Sequence, residues 1–127
     1  MVAPSSSDSA RSAPWPSDWL RAMLGAFTLR ALESGPSYGY AIITQLEASG
    51  FGVVKGGTLY PLLSRYEAAG LVRAEWRPGD AGPGRKFFAL TEEGRSELNR
   101  VRTMWLQFAT VSAAYMTEPR ADTGEES

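Results

Sequence analysis

The chain has 127 residues, 43% of them hydrophobic, with 13 Gly, 8 Pro and neither Cys nor His, which suits one small globular domain. Without Cys or His there is no disulfide framework, thiolate nucleophile or imidazole base, and the commonest metal ligand is missing. The net charge of −1 is low for a nonspecific polyanion binder, so the distribution of charge has to carry the argument.

Residues 1–16 run through Ser5-Ser6-Ser7-Asp8-Ser9-Ala10-Arg11-Ser12 to Pro14-Trp15-Pro16. This low-complexity stretch holds no apolar run long enough for a signal peptide or membrane span, so it is expected to be a flexible arm on a cytoplasmic protein with no membrane partner. From Asp18 to Glu33, Leu20, Met23, Leu24, Phe27, Ala31 and Leu32 recur at three-and-four spacing. That spacing predicts an amphipathic first helix, with Ser17 or Asp18 as N-cap and Ser34-Gly35-Pro36 as its stop. A second, short helix is expected from Tyr38 to about Ser49, burying Ile42, Ile43 and Leu46 and ending at Gly50. A third follows from about Gly57 to Ala69, with Leu59, Leu62, Leu63 and Tyr66 on one face, Pro61 in about its first turn and Gly70 as its stop.

Leu71 to Arg77 and Arg85 to Leu90 are short strand-compatible segments joined by Pro78-Gly79-Asp80-Ala81-Gly82-Pro83-Gly84, which predicts a β-hairpin with a loose tip. Thr91-Glu92-Glu93-Gly94 then opens a long last helix, with Thr91 as N-cap and acids in its first turn to suit the helix dipole. The final stretch, residues 117–127, carries Glu118, Asp122, Glu125 and Glu126 against Arg120 alone and is expected to be a solvated acidic tail. Between the two termini, residues 17–116 hold 11 basic and 9 acidic side chains, and from Lys55 to Lys86 six bases face three acids. A polyanion is expected to dock there.

In this order the elements form a winged helix-turn-helix: a mainly α fold with a small β-hairpin, followed by a long C-terminal dimerisation helix. The expected organisation is an N-terminal arm (1–16), a winged helix-turn-helix DNA-binding domain (17–90), a C-terminal dimerisation helix (91–116) and the acidic tail. Four stretches then carry a closer likeness: Gly35-Pro36-Ser37-Tyr38-Gly39-Tyr40-Ala41-Ile42, Gly57-Thr58-Leu59-Tyr60-Pro61-Leu62-Leu63-Ser64-Arg65, Glu67-Ala68-Ala69-Gly70-Leu71-Val72, and Gly82-Pro83-Gly84-Arg85-Lys86-Phe87-Phe88-Ala89-Leu90-Thr91. Over about residues 19–116 the chain resembles the PadR family of bacterial transcriptional regulators, in its short subgroup with a single C-terminal helix. It departs from that pattern at Ala41, where the family often has an acid, and at Lys55-Gly56, where a Ser-Pro helix start is frequent. The resemblance implies a ligand-responsive repressor that binds pseudo-palindromic promoter DNA as a homodimer.

In a winged helix-turn-helix the third helix enters the major groove N-terminus first. On its leading turn Thr58 can hydrogen-bond a base or touch a thymine methyl, and Tyr60 can give its hydroxyl to a phosphate. The competing reading has Thr58 capping the helix and Tyr60 packing on the second helix. Tyr38 and Tyr40 are similarly placed to donate to the backbone, and one of the two is expected to do so. Lys55 brings positive charge to the same end, while Arg85 and Lys86 suit a wing that follows the backbone or enters a minor groove. Arg65 is a secondary candidate that can instead pair with Glu67 or Glu75. Arg73, Trp76 and Arg77 read as the solvated face of the first wing strand.

In the last helix, Leu98, Val101, Trp105, Phe108, Ser112 and Tyr115 alternate steps of three and four, a seam widened by Met104 and Val111. The seam is expected to pack against its copy in a second chain, a two-fold arrangement that matches pseudo-palindromic DNA. Trp105 sits at its middle, where two facing indoles leave a slot between π-faces that accepts a planar aromatic small molecule; the alternative is a packed anchor. Short PadR proteins carry a Trp at the matching place and use it in this way, so the resemblance implies such an effector site here. Trp19 and Met23 are further candidate walls, and Arg102 a candidate partner for an acidic ligand. No metal or cofactor is expected, and Glu92, Glu93 and Glu97 lie at a polar helix start that gives an enzyme nothing to work with. The rival to DNA binding is a winged-helix module that recognises a partner protein.

Overall fold

A computed structural model of the chain describes residues 13–79 and 82–119. Its elements are α1 (Ser17–Ala31), β1 (Ser37–Tyr38), α2 (Gly39–Ala48), α3 (Gly56–Ala68), β2 (Val72–Arg77), β3 (Arg85–Leu90) and α4 (Glu92–Thr117). Together they form a winged helix-turn-helix with a long C-terminal helix. Residues 1–12 and 120–127, which hold most of the expected arm and acidic tail, and Asp80 and Ala81 at the wing tip lie outside the described residues.

The glycine stops act as the sequence implies. At the end of α2, Gly50 adopts φ +100°, its N–H donates to the Glu47 carbonyl and the Phe51 N–H to the Leu46 carbonyl. Gly70 repeats the arrangement after α3, with bonds to Glu67 and, from Leu71, to Tyr66. These paired bonds satisfy carbonyls that the helix end leaves open, and only glycine adopts the left-handed conformation without strain.

Four local expectations need correction. The N-cap of α1 is Pro16 and no side chain caps the helix; Ser17 and Asp18 already lie inside it, and Asp18 pairs with Arg21 one turn on. The helix also ends at Ala31, not Glu33, because its last turn tightens: the Leu32 N–H is shared between the Thr28 and Leu29 carbonyls. Tyr38 does not open the second helix. It is extended, pairs with Phe87 in β1, and completes a three-stranded antiparallel sheet ordered β1-β3-β2. The pairing covers an edge of β3 whose backbone groups would otherwise face solvent. Finally, because α3 begins at Gly56, Pro61 falls in its second turn, where it leaves the Gly57 carbonyl without its helical donor.

One core joins all the elements. Leu24 and Leu29 of α1, Ile42 and Leu46 of α2, and Leu59, Leu62 and Leu63 of α3 close over Val72, Phe88 and Leu90 of the sheet. Leu98 of α4 enters the same core. The start of α4 is fixed by Thr91, whose hydroxyl accepts the Gly94 N–H at 3.0 Å and donates to the Gly70 carbonyl at 2.6 Å. Its own N–H donates to the Leu71 carbonyl at 3.1 Å. Gly94 lets the helix come this close, since a Cβ built there would lie 2.0 Å from the Leu71 carbonyl oxygen.

Further along, α4 is braced against α1. The Arg102 guanidinium donates to Glu33 at 2.8 Å, and Arg30 approaches the same carboxylate at 3.4 Å. The Arg102 hydrogen bond is the main cause that holds the Glu33 carboxyl below its ordinary value of 4.5; desolvation opposes it, and the positive charges of Arg102, Arg30 and Arg95 add to the lowering. The core contains one unsatisfied side chain among the described residues: Thr28, fully buried, whose hydroxyl has no partner.

Two outcomes follow. Thr28→Val keeps the shape and removes the orphan hydroxyl, so it is expected to raise stability by about 0.5–1.5 kcal/mol; Thr28→Ala also deletes a buried methyl and is expected to lower it by about 1 kcal/mol. Urea melts of the two variants check the sign of each. For Glu33, a carboxyl with a lowered folded-state pKa stabilises fully above 4.5 and loses that contribution as pH falls through the lowered value. Melting temperatures measured from about pH 6 to about pH 3 should fall less steeply for Glu33→Gln than for the parent chain, with the two curves parallel above about pH 5.

Candidate nucleic-acid interface

The leading end of α3 is electropositive by construction. Its N-cap, Lys55, is extended and offers no side-chain cap, and the first turn holds no acid. The backbone N–H groups and the positive end of the helix dipole are therefore left for an external anion, next to the Lys55 ammonium. Thr58 is the third residue of the helix and is exposed, with its N–H bonded to the Lys55 carbonyl at 2.9 Å. It is thus not the cap, and among the described residues its hydroxyl has no partner in the fold. The buried Leu59, Leu62 and Leu63 face the core from the same helix and so turn Thr58 outward.

Tyr60 both packs and remains accessible. Its ring lies against Gly39, where a built Cβ would come within 2.4 Å, and beside Gly56, where one would lie 3.2 Å away. The start of α2 and the start of α3 are thereby brought into contact through a side chain that stays 47% exposed. Tyr40, the second residue of α2, is also exposed. On the other side of Gly39, the Tyr38 ring meets the edge of Phe87 at 5.2 Å, and the Arg85 guanidinium lies 4.5 Å over Tyr38. The start of α3 at Lys55, Tyr60, Tyr38 and Arg85 are in this way linked into one strip, and Thr58 and Tyr40 are exposed on the same two helix starts.

Lys86 and Arg65 lie elsewhere. Successive strand residues face opposite sides, so Lys86 points away from Arg85, pairs with Glu67 at 3.4 Å and lies near the Phe88 ring. Arg65 belongs to the last turn of α3, where a cation complements the carboxyl end of the dipole, at the far end of the helix from Lys55. Among the described residues it makes no ion pair, with Glu67 and Glu75 included. Arg77 is absent from the contacts expected on sequence grounds, yet it stands opposite Arg85 in the hairpin register with its guanidinium 4.3 Å over Phe87. Counting back along the hairpin from Arg85 across the turn would have found it.

The expected seam on α4 is divided by the structure. Leu98 is 3% exposed in the core, so it is not available to a second chain; the first turns of α4 fold back on their own domain. Val101 and Trp105, with Met23, Ala26 and Phe27 of α1, line a small apolar pocket of about 120 Å³ whose rim carries Arg30 and Arg102. Trp19 does not line it and stands 65% exposed one turn before Met23. Arg102 is occupied by Glu33, which is the acidic partner that sequence spacing does not disclose. Beyond Trp105, itself 38% exposed, the helix leaves Phe108, Val111, Tyr115 and Met116 facing outward with Met104 and Leu106, while Ser112 is half-buried.

Among the described residues no group of His, Cys, Asp or Glu is placed to hold a metal ion, and no helix is long and apolar enough to cross a membrane. No protein of curated function matches the chain significantly. Solved structures do: a PadR-like transcriptional regulator from Bacillus cereus strain ATCC 14579 is 26% identical with a TM-score of 0.73, over 80% of this chain and 99% of that one. A PadR family transcriptional regulator from Eggerthella lenta DSM 2243 is 30% identical with a TM-score of 0.71, over 81% of this chain and 89% of that one. The sequence profile of the transcriptional regulator PadR-like family matches residues 28–100, from the middle of α1 through the wing and into α4. The chain therefore belongs to the PadR-like family of transcriptional regulators, DNA-binding proteins and not enzymes.

Proposed function

We propose that the chain is a ligand-responsive repressor that binds pseudo-palindromic promoter DNA as a homodimer. Residues 17–90 read the DNA, residues 91–116 carry the dimer contact, and the arm and acidic tail lie outside both. The observation that carries this reading is the uncapped, acid-free start of α3, with Lys55 and Thr58, joined through Tyr60 and Tyr38 to Arg85 on the wing. Such a start suits entry into the major groove, where Thr58 reads a base edge while Lys55, Tyr60, Tyr40 and Arg85 hold the backbone. Support for a second copy comes from α4, whose outer turns present Phe108, Val111 and Tyr115 with nothing among the described residues to cover them.

The pocket beside Trp105 is small for a drug-sized ligand, which needs several hundred Å³. It is half of a site. With a second copy against α4, two such hollows and two indoles enclose a slot for a planar aromatic effector, whose entry favours one helix spacing over another.

Two phosphate contacts per protomer, from Lys55 and Arg85, make about four per dimer and an expected log-log salt slope of about −3.6 or steeper in fluorescence-anisotropy titrations. A slope near zero would sink the DNA reading. Arg85→Ala should weaken operator and random DNA alike, whereas Thr58→Ala should erode the preference for operator by about 1–3 kcal/mol.

Trp105→Ala is expected to abolish release of DNA by a planar aromatic probe such as a naphthol. It should leave the dimer intact in analytical ultracentrifugation, because Phe108, Val111 and Tyr115 remain. If the variant still releases DNA, the slot is not the sensor; if it is a monomer, Trp105 is an anchor.

A further inference from the structure

The wing places two arginines opposite each other across its hairpin. Arg77 and Arg85 are direct partners across the antiparallel hairpin, and like charges placed opposite each other on a ladder repel. The neck of the hairpin brings the two strands' backbones close together at this level. A Cβ built on Gly84 would lie 2.5 Å from the Arg77 carbonyl oxygen, and one on Gly79 would lie 2.6 Å from the Pro83 carbonyl oxygen. Among the described residues the only carboxylate near either guanidinium is Glu75, 3.5 Å from Arg77 and itself mostly exposed.

Elsewhere the fold neutralises its cations more closely. Arg100 on Glu97 and Arg102 on Glu33 both sit within 3 Å of an acid. On this face of the wing, Arg85 has a ring and no acid, and Arg77 has a ring beside its longer contact with Glu75. Arg77 lies 4.3 Å over Phe87, Phe87 meets Tyr38 at 5.2 Å, and Arg85 lies 4.5 Å over Tyr38. A guanidinium held over a ring keeps its edge donors open and has already lost much of its rotational freedom, which suits it to a planar fork on a phosphate. The other end of this stack is continuous with α3, since Gly39 follows Tyr38 and lies under Tyr60.

From this we infer that Arg77 and Arg85 act together as a clamp for a DNA backbone phosphate, with Phe87 as the residue that positions Arg77. The inference rests on the DNA-binding reading and deepens it. The clamp positions the wing and carries no sequence preference, because phosphates are the same at every step. Adding Arg77 raises the phosphate contacts to about six per dimer and the expected salt slope to about −5.

The test uses the full chain and two duplexes, one from upstream of its own gene and one of random sequence. Arg77→Gln is expected to weaken both by a similar factor, about tenfold at low salt, and to make the slope shallower by about 1.8. Its melting temperature should hold or rise, since the repulsion with Arg85 is removed. Phe87→Leu leaves the charge unchanged, so it should keep the slope and still weaken binding about threefold. An unchanged slope in Arg77→Gln, alongside a shallower one in Arg85→Gln, overturns the clamp and leaves the DNA reading standing. Weakening confined to A·T-rich flanks also overturns it, because that result marks insertion into a narrow minor groove. If the parent chain itself shows no salt dependence, the functional reading fails and the clamp with it.

Discussion

The Thr91 side chain is the point on which the architecture turns. One hydroxyl joins the turn that ends α3, through the Gly70 carbonyl, to the first turn of α4, through the Gly94 N–H. The Thr91 backbone ties both to the entry of β2 at Leu71. The end of α3, the root of the wing and the base of the long helix thus meet within a few residues. Because those backbone groups are bonded to Thr91 itself, two through its hydroxyl and one through its N–H, their relative directions are set by hydrogen-bond geometry, by the Thr91 side chain and by the absence of one at Gly94. The helix that leaves this junction inherits its direction.

Where that helix goes next explains how a chain of net charge −1 suits a polyanion. Several carboxylates of the described residues are used within the fold: Asp18 holds Arg21, Glu33 holds Arg102 and Arg30, Glu67 holds Lys86, Glu75 holds Arg77 and Glu97 holds Arg100. Lys55 and Arg85 have no such partner among the described residues, and both sit on the strip that starts at α3. Field and fold are therefore separable here. Total charge reports on neither, since acids consumed in pairs screen their own partners and leave the unpaired cations to face outward.

Much of this was legible in the sequence, and for identifiable reasons. The 3.6-residue spacing of Leu24, Leu59, Leu63 and their neighbours marks buried helix faces. Gly50 and Gly70 mark helix ends because left-handed backbone is costly for other residues. Thr91 with acids after it marks the start of α4. What was not legible depends on pairing between distant segments. A two-residue strand such as Ser37–Tyr38 has no periodicity to detect and exists only because β3 offers an edge. Arg102 finds Glu33 from 69 residues away. Leu98 continues the heptad spacing of Val101 and Trp105, yet packs into its own domain, because spacing identifies a stripe without saying which body covers each part of it. The adjacent Arg85 and Lys86 look like one basic pair in the sequence, although strand alternation alone sends them to opposite faces.

The length of α4 has a mechanical consequence. Its 26 residues, at 1.5 Å each, make a rod of about 39 Å clamped at one end by Thr91 and stiffened a few turns on by the Arg102 brace. A rotation of about 5° about that brace carries the far end, about 22 Å on, through about 2 Å. The molecule is thus a lever with a well-fastened inner arm, which holds Leu98 in the core, and a longer outer one. Changes of angle too small to disturb the packing around Leu98 are enlarged at the tip of the helix.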